Sequence, residues 1–429
     1  MLQGSGRLRL AVEGETGHIG YRSLAGLPVA IWSMLLNAFA MSVGFFMLIP
    51  LVSVYYTTSL GFTAAMVGLA LAVRQFSQQG LMLVTGNLAE RVGYRPVLAV
   101  GMVVRSAGFA TFVFADTLPL LLLASLIAAL GGALFEVSAR ALMATIVPAE
   151  QRTAGFSLWS LASNVGLAVG PLLGALLIKA SFSFVCVAAA AIYIVGAIGT
   201  MLLIPAANRT GTISRPPGIL KTIGSVIHDR TFVLFSLIMS GYYLLGTQLF
   251  ITVPLESERL TGTTDSLGVV FLVNSIVAVS LQFPLVRLAT RYLSSLQAVA
   301  LGTGCLTLSL ASIGLANGLP ALLLSVACVS ASRVVIEPVV NASVARIASR
   351  AGDGMLASYF GFSALSLAIG GAAGQLLGGW LFDQARTRDF PALPWLVLGA
   401  IGSTVTIALF VFSLTPAARG LINEPSTGP

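Results

Sequence analysis

The sequence predicts an all-α membrane protein, with twelve transmembrane helices in two parallel-related six-helix bundles. Three observations support this prediction: the composition, the length of the apolar stretches, and an internal repeat. Of the 429 residues, 57% are hydrophobic and only 9% are charged, and the mean hydropathy is +0.95. A soluble domain carries about 25% charged residues, so this composition indicates a lipid bilayer as the solvent.

Apolar stretches long enough to cross about 30 Å of hydrocarbon as a helix recur along the whole chain. The first 28 residues are mixed and polar, without the apolar core of a secretory signal, so we expect a tail at 1–28. A polar, Pro-containing segment at 205–230 predicts a linker between a first bundle at 29–204 and a second at 231–415, and a second tail follows at 416–429. The twelve predicted helices lie at 29–56, 64–86, 97–115, 118–145, 154–179, 184–204, 231–255, 266–288, 297–316, 319–346, 356–382 and 393–415.

The basic residues predict the sidedness of the chain. If the amino terminus is cytoplasmic, sixteen Lys and Arg residues fall on the cytoplasmic side, and only Lys179, Arg259, Arg386 and Arg388 fall on the opposite side. The positive-inside rule therefore predicts that both termini and the linker are cytoplasmic. The net charge is +8, but one or two basic residues per loop make no patch for a nucleic-acid partner.

An internal repeat appears when the chain is shifted by about 200 residues. LPLLLLASLIAALGGALFEVSARA from Leu118 matches LPALLLSVACVSASRVVIEPVVNA from Leu319, which sets Glu136 on Glu337. A second match pairs GLAVGPLLGALL in the fifth predicted helix with GGAAGQLLGGWL in the eleventh predicted helix. Six helices followed by six related ones give two halves of the same orientation, which is an architecture of secondary transporters.

Five charged residues lie inside the predicted helices, where each costs roughly 2.5–3.5 kcal/mol near mid-membrane, so they must face protein or water. Glu136 and Arg140 are four residues apart on one helix, as are Arg333 and Glu337 on another, and this spacing permits local ion pairs. Two interpretations stay open for each pair: a structural link between helices, or a charged group in a substrate cavity. The five residues are Arg74, Arg105, Glu136, Arg333 and Glu337.

The stretch GNLAERVGYRPVL, residues 86–98, gathers charge between two apolar helices. It resembles the loop signature of the major facilitator superfamily, in which Gly, three residues, Asp, Arg, one residue and Gly precede basic residues. Gly86, Arg91, Gly93 and Arg95 fit this signature, and Glu90 replaces the usual Asp. The resemblance implies that the loop is a cytoplasmic gate, which locks when the substrate site faces outward.

The run GLAVGPLLG in the fifth predicted helix resembles a signature of the exporter branch of that superfamily. Gly166, Gly170 and Gly174 fall on one helical face, and Pro171 frees a backbone carbonyl. A plain packing seam of small residues is the alternative interpretation. The Arg expected in the fourth helix of many family members is missing, since Ile127 stands about where it should be.

Further runs are similar to the MdtH group of bacterial multidrug exporters: AMVGLALAVRQFSQQG, MVVRSAGFATF, ALGGALFE, GFSALSLAIGGAAG and GGWLFD. The resemblance implies export of lipophilic, cationic small molecules in exchange for protons, by alternating access, in the bacterial inner membrane. An acid in the cavity can bind a proton or attract a cation, so the two compete. A carrier of the same fold for an amphipathic lipid, a metal chelate or a nutrient is the alternative function.

The expected site residues follow from this resemblance and from the buried charges. Glu337 is expected to carry proton or cation coupling, with Glu136 second. Because folds of the family place the third helix towards the periphery, Arg105 is expected to be structural. The cavity is predicted to be lined by Asn37, Phe45, Arg74, Gln78, Tyr242, Tyr243 and Arg333, in an apolar, aromatic and Met-rich wall that includes Phe39, Met41, Phe46, Met239 and Phe250.

Enzymatic chemistry, a metal and a resident cofactor are not expected. The two His residues, His18 and His228, lie outside the predicted helices, and the sequence contains no Walker loop and no plausible nucleophile triad. The expected partners are a small-molecule substrate, protons and the lipid bilayer, and we expect a monomer.

Overall fold

The computed structural model describes residues 29–147, 152–204, 226–351 and 356–415. The predicted tails and most of the predicted linker lie outside these residues. The described residues form thirteen α-helices and two short 3-10 segments, and no strand occurs among them. The helices are α1 (Val29–Thr58), α2 (Ala64–Val92), α3 (Tyr94–Thr111), α4 (Leu118–Ile146), α5 (Arg152–Leu177), α6 (Phe182–Leu203), α7 (Arg230–Gly246), α8 (Thr252–Thr261), α9 (Asp265–Tyr292), α10 (Ser295–Ile313), α11 (Leu319–Ala351), α12 (Leu356–Thr387) and α13 (Leu393–Leu414).

The all-α membrane prediction is confirmed. With α7 and α8 taken as one span, eleven helical spans of the described residues are long and apolar enough to cross a membrane. The remaining long helix, α2, is long enough to cross a membrane, but it is too polar to be counted among these spans. Four of its polar residues, Arg74, Gln75, Gln78 and Gln79, lie near its middle, and a helix in lipid can carry them only where it faces protein or water.

The seventh span is broken. A 3-10 turn at Thr247–Phe250 separates α7 from α8. Pro254 lies in the first turn of α8, where its missing N–H costs no helical bond. The side chain of Gln248, in the turn, donates from Nε2 to the carbonyl oxygen of Gly374 at 2.9 Å and so ties the break to α12. The sequence predicts a single helix over 231–255, whereas the structure interrupts it and continues the span further.

Buried apolar side chains form two large clusters, one centred in each half of the chain. Three residues of the second half, Ile251, Leu255 and Leu267, belong to the cluster of the first half. They come from the break before α8, from α8 itself and from the start of α9. These elements therefore carry apolar contact between the two halves.

Each half contains a seam in which two helices pack backbone to backbone. A Cβ added at any of three glycines of α5 would lie 2.3–2.8 Å from a carbonyl oxygen of α1. On α12, the corresponding distances to oxygen atoms of α7 and of Gln248 are 2.0–2.3 Å. Real Cβ atoms do not approach so closely, so only glycine permits either seam. The glycines are Gly166, Gly170 and Gly174 on α5, and Gly370, Gly374 and Gly378 on α12.

The two ends of the bundle differ in how the halves meet. We call the end with the α1–α2 connection the Asp383 end, and the end with the α2–α3 turn the Gly93 end. At the Asp383 end, a Cβ at Gly379 of α12 would lie 2.1 Å from the carbonyl oxygen of Ala64, and one at Gly68 of α2 would lie 2.4 Å from that of Gln375. Backbone contact between α2 and α12 therefore closes the halves at this end.

Candidate functional site

A cavity of about 350 Å³ lies between α5, α9 and α11. Its wall becomes more exposed towards the Gly93 end: Ser330 is buried, whereas Glu337 and Asn341, two and three turns further along α11, are exposed. The cavity therefore opens towards the Gly93 end. Its lining residues are Ser160, Asn164, Leu167, Asn274, Ala278, Gln282, Ser330, Arg333, Val334, Glu337, Pro338 and Asn341.

An ion pair forms part of the cavity wall. Arg333 donates from Nη2 to Oε1 of Glu337 at 2.9 Å, and the two side chains are 25% and 52% exposed. The Arg333 guanidinium also lies over the ring of Phe250, 5.9 Å from its centroid. The sequence left open whether this pair links helices or serves a cavity. In the structure the two residues pair with each other and also line the cavity.

The wall is more polar than the sequence analysis expected. Eight of the twelve lining residues are polar or charged. The sequence analysis named only Arg333 and Glu337 among them. A single amide inside an apolar helix can indicate a polar cavity, because a buried amide needs a hydrogen-bond partner. The amides in question are Asn164, Asn274, Gln282 and Asn341.

Several residues predicted for the cavity lie elsewhere. Asn37 is buried and donates from Nδ2 to Oγ1 of Thr200 on α6 at 2.8 Å, so it joins two helices of the first half. Tyr242 is buried in the second core, with its ring centroid 5.2 Å from that of Tyr243. The expected aromatic and Met-rich wall does not line the cavity between α5, α9 and α11, which is built from other helices.

Two buried guanidinium groups flank one phenyl ring in the first half. Arg74 on α2 and Arg105 on α3 are 5% and 6% exposed. Their Cζ atoms lie 4.9 and 5.0 Å from the centroid of Phe45 on α1. Arg74 also donates to the side-chain oxygens of Gln78 and Gln75, both at 3.2 Å.

The side chain of Arg105 is buried, although its helix was predicted to lie towards the periphery, and its expected structural role stays a prediction. Its guanidinium carbon lies 5.8 and 5.7 Å from the ring centroids of Phe109 and Tyr193, in addition to its contact with Phe45. The side chain therefore points into the first half, because α3 places it on the face that packs against α1, α4 and α6.

Glu136 and Glu337, which the repeat aligns, have different surroundings. Glu136 pairs with Arg140, and the two side chains are 35% and 67% exposed. Glu136 is absent from the lining of the cavity described above. An exposed ion pair of this kind contributes little to stability.

The predicted gate loop forms a tight turn. Gly93 joins α2 to α3 with a φ of 109°, a value that side-chain-bearing residues rarely adopt. Arg95 donates to the backbone carbonyl of Met201 near the end of α6. A Cβ at Gly86 would lie 3.5 Å from Cγ1 of Val137, which is an ordinary contact distance, so the packing of α2 on α4 does not require glycine here.

Two further charged residues, Glu90 and Arg91, belong to the predicted gate loop. Arg91 is exposed and lies in the last turn of α2. The side chain of Glu90 is outside the described part of the chain, so its role as a lock stays a prediction.

Asp383 near the end of α12 joins the two halves. Its Oδ1 and Oδ2 accept hydrogen bonds from the backbone N–H groups of Ala64 and Ala65, both at 2.8 Å. These N–H groups begin α2, where they lack helical partners and where the helix dipole favours a negative charge. A second link between the halves is an exposed ion pair of Lys179 and Asp265, at 3.2 Å. Asp383 ends the run GGWLFD, but the sequence alone assigned no role to this residue.

Glu256 on α8 is a further acid that sequence reasoning missed, because the predicted helix stopped one residue before it. It is 1% exposed, and both of its carboxylate oxygens accept hydrogen bonds from Arg259, at 2.6 and 3.1 Å. It lies next to Leu255, which packs into the core of the other half. Glu256 is therefore buried where the halves meet near the Asp383 end.

Known proteins resemble the chain in sequence and in fold. Residues 34–371 match the family model described as Major Facilitator Superfamily. A protein of Aeromonas hydrophila subsp. hydrophila named Multidrug resistance protein MdtH is 34% identical over 378 residues, which cover 88% of this chain and 94% of that protein. The protein of the same name from Escherichia coli is 33% identical over 392 residues, covering 91% and 96%.

Solved structures agree with this assignment at the level of the fold. The nucleoside transporter NupG superposes with a TM-score of 0.76 at 13% identity, covering 90% of this chain and 99% of that one. A peptide transporter POT gives a TM-score of 0.77 at 16% identity, covering 93% and 96%. The protein is a multi-pass membrane transporter and not an enzyme, and the chain belongs to the major facilitator superfamily.

Proposed function

We propose that this protein exports small drug-like molecules across the bacterial inner membrane by alternating access, in exchange for protons. The observation that carries the proposal is a cavity that is closed at the Asp383 end, opens towards the Gly93 end and includes Arg333 and Glu337 in its wall. The expected drug range comes from relatives named Multidrug resistance protein MdtH, which match 88% and 91% of this chain.

Sidedness decides the direction of transport. The distribution of basic residues favours a cytoplasmic location for the Gly93 end, and with this orientation the cavity belongs to a carrier open to the inside. Single cysteines at positions 3 and 215 should then react in intact cells with a membrane-permeant maleimide only. Reaction with an impermeant maleimide at either position would overturn this orientation.

Coupling is assigned to Glu337. Its carboxylate is half exposed in the cavity and holds Arg333 at 2.9 Å, so a proton that neutralises Glu337 also releases Arg333. A proton and a cationic substrate compete for the same carboxylate. In a two-faced carrier this competition converts an inward proton gradient into outward substrate movement, with about 2.3 kcal/mol per charge added by each 100 mV of membrane potential.

Efflux of ethidium from proteoliposomes under an imposed pH gradient tests the proposal. The wild-type protein should move ethidium against its gradient, whereas Glu337→Gln should abolish this movement and retain downhill exchange. Asp389→Asn, an exposed acid at the Asp383 end, is the matched control and should behave as wild type. If Glu337→Gln keeps both activities, coupling lies elsewhere, and if the wild-type protein moves no dye under any gradient, the drug-export proposal fails.

A carrier of a polar nutrient is the second candidate, and the amide-rich wall is the observation that favours it. The amphipathic lipid and the metal chelate have no such support in the wall. Dye accumulation in cells that lack other pumps separates these functions. Expression of a drug exporter lowers the accumulated dye, whereas expression of a nutrient carrier leaves it unchanged.

A further inference from the structure

We propose that the first half contains a buried binding site for a small anion, formed by Arg74 and Arg105 beside Phe45. This site is separate from the pair of Arg333 and Glu337, and it does not depend on proton coupling at that pair. The ligand is a carboxylate group of a transported compound or a free inorganic anion of similar size, such as chloride.

The positive charges of Arg74 and Arg105 are not balanced by a carboxylate among the described residues. Both guanidinium carbons lie about 5 Å from the same ring centroid, so they are at most ~10 Å apart. Within the described part of the chain, no carboxylate oxygen lies within ion-pair distance of either arginine, and Glu136 is already paired with Arg140. A guanidinium does not lose its proton, so this repulsion cannot be relieved by neutralisation.

Glu90 cannot supply the missing charge. It lies sixteen residues beyond Arg74 on the same continuous helix, roughly 24 Å along the axis. The groups that do contact Arg74 are neutral: two amide oxygens at 3.2 Å and the face of the Phe45 ring. A ring face attracts a cation but carries no net charge, so two positive charges stay uncompensated.

Both arginines also have a hydrogen-bond donor without an acceptor. The Nε atoms of Arg74 and Arg105 are both buried and have no hydrogen-bond partner among the described atoms. Buried donors of charged groups almost always have an acceptor, because an unmade bond leaves their desolvation uncompensated. The Nε of Arg333 is unpartnered as well, but Arg333 pairs with Glu337 through Nη2. Arg74 and Arg105 are about 95% buried and have no such carboxylate among the described residues, so their free donors point to an acceptor that carries negative charge.

The backbone of α4 lies against the proposed site. A Cβ at Gly132 would lie 2.7 Å from Oε1 of Gln78 and 2.8 Å from Nη1 of Arg105, so the α4 backbone closes one side of the site. Small anions, a carboxylate and a halide, are therefore the first ligands to test.

Anion-dependent stability of the purified full-length protein tests the site. The probes are sodium chloride and sodium benzoate, added to a bis-Tris–MES buffer free of carboxylate and halide, with neutral benzamide as the matched control for benzoate. We expect saturable increases in the midpoint of thermal unfolding with at least one anion and none with benzamide. A response to benzoate alone assigns the site to a substrate carboxylate, and a response to chloride assigns it to an inorganic anion. No response to either anion, or an equal response to benzamide, would overturn the proposal.

A single substitution supplies the missing charge from within. Gln78→Glu places a carboxylate where an amide oxygen now lies 3.2 Å from Nη1 of Arg74. It should raise the unfolding midpoint in the buffer without added anion to that of the anion-saturated wild type and weaken anion binding at least about tenfold. Gln79→Glu, one residue further along α2, is the control and should keep the wild-type response. An unchanged anion response in Gln78→Glu would contradict the site.

Removal of either arginine gives the opposite test. Arg74→Gln and Arg105→Gln should each abolish the anion response, whereas Arg388→Gln, at an exposed position, should keep it. Retention of the full response in both buried variants would overturn the assignment. If the buried variants fail to fold, Gln78→Glu still decides the question.

Discussion

In the first half, α5 packs on α1 through three glycines. In the second half, α12 packs on α7 and on the side chain of Gln248 through three glycines at matching places of the repeat. The charges set on this shared framework differ between the halves. Among the described residues, Arg74 and Arg105 are buried in the first half with no carboxylate within ion-pair distance, whereas Arg333 in the second half pairs with Glu337 in a cavity wall. The repeat therefore specifies how the helices approach, and the charged side chains distinguish the two halves.

The seams offer the largest effect with which to test this comparison. Gly174→Ala and Gly370→Ala would place a Cβ 2.3 and 2.0 Å from the carbonyl oxygens of Met47 and Ser240. We expect each substitution to lower the free energy of unfolding by about 2–3 kcal/mol, because backbone atoms cannot move aside as side chains do. Thermal unfolding in detergent measures the loss.

The control for the seams is Gly199→Ala on α6, where an added Cβ meets nothing within 4 Å. This variant should match the wild type or exceed it slightly, since Ala favours helix over Gly. If one seam tolerates Ala while the other does not, the two halves differ in packing as well as in charge.

The gate contacts at the Asp383 end give the next largest effect. Asp383→Asn weakens two charge-assisted bonds to the start of α2 and should shift the population towards the state open at the Asp383 end by about 1–2 kcal/mol. Asp265→Asn removes only an exposed ion pair and should shift it by less than about 1 kcal/mol.

Spin labels at positions 59 and 388, one in each half, report this shift as a longer distance between the labels. The comparison fails if Asp265→Asn opens the Asp383 end as far as Asp383→Asn does. In that case the ion pair, and not the helix cap, would hold the closed state.

Much of this fold follows from the sequence, because apolar length alone locates most helices within a few residues. The break at Thr247–Phe250 does not follow, since it depends on the bond from Gln248 to a helix more than a hundred residues away. The direction of the Arg105 side chain also depends on packing, which a resemblance in sequence does not specify. The four-residue spacing of Arg333 and Glu337 predicted their pair, but which amides lie beside the pair is seen only once α5, α9 and α11 come together.

The smallest expected effect concerns Glu136, which the repeat places opposite Glu337. Glu136→Gln removes an ion pair with a largely exposed arginine, and such pairs are worth about 0–1 kcal/mol. Gradient-driven ethidium efflux should therefore stay within about threefold of the wild-type rate, and Arg140→Gln should give the same result, because both substitutions break the same exposed contact. Loss of gradient-driven efflux in Glu136→Gln, with Arg140→Gln unaffected, would mean that the first half also carries a coupling carboxylate, and the chemical difference between the halves would then be smaller than their surroundings indicate.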